Sequence, residues 1–179
     1  MPDYEKLVKL ALDCGFTNAG PLDPKTLVFM QEVRDMCAAD KCNMYNKSWA
    51  CPPACGSLED MRKKVEGYKY GIIVQTVGEM EDSLDWEAIQ DTAAKQGENF
   101  MKLEAELEKL FPKLVAMGTG TCTRCTKCTY PDAPCRFPEK LFTSMEGCGL
   151  LVSKVCTDNG MPYNYGPNRI AYTGCFLFN

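Results

Sequence analysis

The chain has no histidine among its 179 residues. That absence removes mixed Cys/His zinc fingers, Cys–His nucleophile pairs and Rieske-type centres, all of which need imidazole. Long apolar runs are also missing. GLLV and GIIV are among the longest, and both are far too short to span a bilayer. The opening MPDYEKLVKL is charged and carries no apolar signal-peptide core. No stretch gathers Lys and Arg into a phosphate-binding face, and the net charge is −4, which argues against nucleic acid as a partner. Repeats, linkers and low-complexity segments are absent, as are flavin and nicotinamide fingerprints. Gly118-Thr119-Gly120 is too short for a phosphate loop and reads as flexibility before Cys122. With 45% hydrophobic residues, 1–179 is expected to form a single domain with a real core, located in the cytoplasm and free of membrane contact.

Cysteine is what the chain has in excess, with twelve residues. In a reducing compartment many cysteines point to metal or redox chemistry rather than disulfides. Without histidine, whatever is bound is held mainly by thiolate sulfur, which selects zinc, copper(I) or iron–sulfur clusters.

Hydrophobic period and turn residues set out the elements. Asp3 to Cys14 reads as a helix stopped by Gly15, followed by an extended piece around Thr17 to Leu22. Asp23-Pro24 caps a further helix with Leu27, Met30, Val33 and Cys37 on one face. Residues 38–56 are loop, and Ser57 caps a short helix ending at Gly67. Tyr70 to Val77 is the best strand, with an apolar centre that predicts burial on both faces. Trp86 to Phe111 is the longest helix and Pro112 ends it; Leu114 to Met117 is a short strand. One or two helices are expected from Pro138 to Thr157, then a final strand, Arg169 to Phe178. The fold class is α/β (α+β), a small mixed sheet with flanking helices and two cysteine-rich, cluster-binding loops.

The late loop, CTRCTKCTYPDAPCRFPEK, spaces Cys122, Cys125 and Cys128 as C-x2-C-x2-C and adds Cys135 after six residues. Tetrahedral zinc usually draws its ligands as two separated pairs. Three cysteines at two-residue intervals instead curl around an object with several corners, as a [4Fe–4S] cube is held in ferredoxins. Pro134 and Pro138 stiffen the loop, and Arg124 and Arg136 can offset cluster charge; Lys127 reads as solvated surface. A zinc knuckle is the competing reading, while disulfides between cysteines this close gain little.

The early loop holds Cys37, Cys42, Cys51 and Cys55, spaced C-x4-C-x8-C-x3-C, a pattern that by itself matches no specific motif. Tyr45 and Trp49 are candidates to shield a cluster there, Trp49 equally an ordinary core residue. Of the remaining four, Cys14, Cys156 and Cys175 read as packing. Cys148, between Gly147 and Gly149 on bare and mobile backbone, is a possible extra ligand or redox thiol, with packing at a helix end as the simpler alternative. Cross-ligation between the two runs is a further possibility.

The pair CNMYNKSWACPPACG and CTRCTKCTYPDAPCRFPEKLFTSMEGCG resembles a family of unknown function described as predicted metal-binding, common in anaerobic bacteria and archaea. The likeness covers nearly the whole chain and implies metal binding at Cys37, Cys42, Cys51, Cys55, Cys122, Cys125, Cys128 and Cys135. It implies no reaction. The late loop alone resembles a ferredoxin cluster loop but has six residues, not three, before its fourth cysteine.

Three functions follow. The first is an iron–sulfur protein with two [4Fe–4S] clusters, acting in electron transfer or anaerobic redox metabolism, with an acidic surface for a basic patch on a redox partner protein. The second is an enzyme with an open iron on one cluster, with Asp40, Tyr45, Lys47 and Arg136 as nearby polar groups. The third is a zinc-bound structural or interaction module.

Overall fold

A computed structural model describes all residues, 1–179. Five helices surround a five-stranded mixed sheet ordered β1-β2-β5-β3-β4. Helix α1, Tyr4–Asp13, starts where Asp3 accepts a hydrogen bond from the Lys6 amide at 3.2 Å, and buries Leu7 and Ala11. Strand β1, Asn18–Leu22, is an edge strand carrying Pro21. Helix α2, Gln31–Ala38, leads into the early cysteine loop; α3, Leu58–Val65, leaves it through a capping box between Ser57 and Asp60. Strand β2, Tyr70–Glu79, and strand β5, Arg169–Phe178, pair antiparallel along their whole length at the centre of the sheet. Helix α4, Trp86–Leu110, is capped by Asp85 and runs beneath them. Strand β3, Leu114–Gly118, pairs antiparallel with β5 and parallel with the two-residue β4, Thr143–Ser144. Helix α5, Val152–Asp158, precedes the loop into β5. No helix is long and apolar enough to cross a membrane.

Strand alternation explains the two cores. Ile73, Cys175 and Leu177 face one layer with Met117, Met145, Leu150 and Cys156. Ile72, Val74, Phe176 and Phe178 face the other, against Leu7, Phe100, Leu103 and Leu107. Phe100 stacks on Phe176 with centroids 4.4 Å apart. Side chains at Gly118 and Gly174 would collide with Phe142 at 2.7 Å and Phe100 at 2.8 Å, so these glycines let the aromatic layer approach the strands just where the late loop departs.

Two stretches differ from expectation. The helical period through Leu27, Met30, Val33 and Cys37 does not build one helix. Pro24–Thr26 is a 3-10 turn, and the chain stays extended to Met30 because Phe29 bridges Leu150 and the Met30 amide donates to Gly149 O at 2.8 Å. Tertiary pairing overrides the local period. Likewise 138–157 is a 3-10 turn, the strand β4 and only then α5, because Gly147 and Gly149 interrupt any helix there and β4 is drawn to β3.

Candidate metal centre

The early loop is folded by tight turns. Asp40, Asn43 and Asn46 have φ of 51°, 57° and 56°, left-handed positions that Asp and Asn adopt more readily than other side chains. Asp40 also accepts the Tyr45 amide at 2.8 Å, and the Asn46 amide donates to Pro52 O at 2.8 Å. A single turn, the Cys55 amide to Cys51 O at 3.1 Å, sets the last two cysteines. Cys37, Cys51 and Cys55 are half-buried; Cys42 is exposed. Burial first, then the negative charges of Glu146, Cys42 and Cys51, push the Cys37 thiol up to about 11.

Arg34, one turn before Cys37 on α2, is a residue the sequence reading missed. Its Nη1 lies 3.7 Å from Cys55 Sγ and donates to Gly147 O at 2.6 Å, while Nη2 donates to Gly56 O at 2.6 Å. A guanidinium so held is a fixed cation beside sulfur. The only sequence signal was its place three residues before Cys37.

Four late-loop cysteines, Cys122, Cys125, Cys128 and Cys135, line one small, partly open pocket, with Ser48 and Arg136 on its wall. All four are half-buried. Burial raises the Cys122 thiol. At Cys128 burial acts in the same direction, but hydrogen bonds from the backbone of Trp49, Tyr130 and Thr129 and from the Ser48 side chain outweigh it, and the thiol is lowered. Arg124 is tied to Glu104 and to Lys140 O, and Lys140 pairs with Glu108, so α4 anchors the loop's stem. Arg136 donates to Lys127 O at 2.8 Å and clasps the loop. Lys41, Lys47, Lys127 and Arg136 are exposed around the two loops.

The loops are docked on each other. Trp49 meets Tyr130 edge-on with centroids 4.9 Å apart, and its indole N–H donates to Ala133 O at 3.0 Å. Tyr130 OH donates to Asn46 Oδ1. Trp49 thus staples loop to loop rather than filling the core.

Cys148 does not match the expectation of a mobile, accessible thiol. It is 2% exposed, packed in the same core layer as Cys156 and Cys175, and burial pushes its thiol up to about 12. Its flanking glycines serve close packing. A side chain at Gly149, where φ is +91°, would meet Leu58 Cδ1 at 2.4 Å, and one at Gly147 would meet Thr143 Cγ2 at 2.8 Å. Cys14 is half-buried against the α1–α4 core.

No three Cys, Asp or Glu side chains converge closely enough to hold a single metal ion. Sulfurs around one zinc each lie about 2.3 Å from it and crowd together. The donor set here is two groups of four thiols, one of them lining a shared pocket, and thiolate donors of this kind suit zinc, copper(I) and iron–sulfur groups alike.

The model of a family described as predicted metal-binding protein (DUF2284) matches residues 20–178. No curated protein matches the chain. Among solved structures, epoxyqueuosine reductase from Bacillus subtilis is similar at 10% identity and a TM-score of 0.43. The alignment covers 97% of this chain, which spans 45% of the reductase.

Proposed function

The chain belongs to this family of predicted metal-binding proteins, and from that premise we propose that it is an iron–sulfur protein holding two [4Fe–4S] clusters for electron transfer. Cys37, Cys42, Cys51 and Cys55 hold one and Cys122, Cys125, Cys128 and Cys135 the other. Each cluster supplies a one-electron couple. The protein supplies sulfur ligands, hydrogen bonds to them and partial exclusion of water, which together set the potential. The observation that carries this reading is the pocket lined by all four late-loop cysteines with no histidine to compete. A redox protein partner completes the function. Exposed Lys41, Lys127 and Arg136 stand around the loops beside exposed Asp132, and Lys47 pairs with Asp40 at 3.9 Å, so the loops offer a partner surface of mixed charge.

Cys125→Ser tests the assignment. In protein prepared without oxygen, about half of the iron and sulfide should be lost and the remaining visible band should still bleach on reduction. Unchanged iron content and spectra would rule out this ligand set.

The exposure of Cys42 favours a second reading, in which the early-loop cluster has an iron open to substrate. Cys42→Ser separates the two. Retention of a full iron complement with three early-loop thiolates supports an open corner, whereas loss of about four irons makes Cys42 a required ligand.

A further inference from the structure

Two crossed contacts join the loops beside their sulfurs. The Cys51 thiol of the early loop hydrogen-bonds Thr121 Oγ1 at 3.4 Å, and Thr121 belongs to the stem of the late loop. In return Ser48 of the early loop, 2% exposed, stands in the wall of the pocket lined by the late-loop cysteines. Ser48 is fixed there, since its hydroxyl accepts the Ala50 amide at 3.1 Å and the adjacent Trp49 is clamped by Tyr130 and Ala133 O. Neither loop therefore builds its sulfur environment alone.

We infer that the two cysteine loops form one coupled two-centre unit, in which Thr121 and Ser48 are hydrogen-bond donors that each loop supplies to the other loop's centre. This rests on the proposed binding of two clusters. When bound as thiolate, Cys51 takes its hydrogen bond from the Thr121 hydroxyl. Were both loops loaded, an electron on one centre would add negative charge beside the other, and the second electron would enter at a lower potential. The pair then behaves as a short relay rather than as two independent sites.

Full-length holoprotein titrated with dithionite, one electron per centre, and followed by electron paramagnetic resonance tests this. At low reduction a simple signal from isolated reduced centres is expected. At full reduction the signal should broaden or split as the two spins interact. A signal that only grows, with unchanged shape, would overturn the coupling while leaving the iron and sulfide content, and hence the two-cluster reading, intact. Zinc without sulfide would overturn both. The crossed hydroxyls have their own test. Thr121→Val should lower the midpoint potential of the centre that Cys42→Ser disturbs, Thr121→Ser should restore it, and Ser48→Ala should lower that of the centre Cys125→Ser disturbs. Midpoints unmoved in both Thr121→Val and Ser48→Ala would remove the crossed role.

Discussion

Arg34 shows how much of the site rests on single side chains outside the cysteine pattern. It ties α2 to Gly147 and Gly56 and lies against Cys55. Charge-assisted hydrogen bonds of this kind contribute about 1.5–3 kcal/mol. A cation beside a ligand sulfur favours the reduced, more negative cluster. Arg34→Gln is therefore expected to lower both the melting temperature and the midpoint potential of the early-loop centre. Thermal unfolding and a redox titration check the two separately, and an unchanged potential would reduce Arg34 to a structural tie. None of this was legible in the sequence, because the carbonyl of Gly147 that orients Arg34 comes from a segment 113 residues away. The two cysteine runs stand out in the sequence, since their spacing is local. At Cys148 the packing reading holds and the mobile, accessible thiol does not. Glycine on both sides looks like freedom, but Gly147 and Gly149 are small because Thr143 and Leu58 press against them.

At the level of elements, the long strands and helices announced themselves through period and caps. Tyr70–Glu79, Trp86–Leu110 and Arg169–Phe178 lie close to where alternation or an apolar stripe placed them. The short pieces did not. β4 has two residues and exists only through its pairing with β3, and Leu27–Met30 is extended only because of Leu150 and Gly149. Those same long-range pairings bring both cysteine loops to one end of the sheet. The layer of β5 and α5 beneath them carries a pH dependence. Cys148, Cys156 and Cys175 pack there, and burial raises all three thiols, Cys148 from 9.0 to about 12. Below about 9 these thiols are protonated whether folded or unfolded and contribute no slope. Above it the unfolded chain releases protons that the folded chain retains, so stability falls as pH rises towards 12. Urea unfolding of metal-free protein between pH 8 and about 11 should show a falling midpoint, shallower in Cys175→Ala.

At the scale of the whole molecule, the sheet is a platform beside which the two cysteine loops dock on each other. Two loops with eight cysteines are stapled together by Trp49, Tyr130 and Ala133. The chain is acidic overall, and exposed residues of both signs flank the loops. Docking of loop on loop was beyond the sequence, because no local pattern tells Trp49 to find Tyr130 rather than the core. Metal held by both loops, as proposed, would stabilise the folded state by mass action, so a chelator that removes it should lower the melting temperature of native protein. The central claim is that the eight thiolates hold iron–sulfur clusters. Iron, zinc and acid-labile sulfide, measured on protein purified without oxygen and read with its absorption before and after dithionite, test it most directly. About eight irons and eight sulfides per chain, with a visible band that bleaches, is the predicted result. About two zinc ions per chain, no sulfide and no visible band would contradict it and leave a scaffold held by metal.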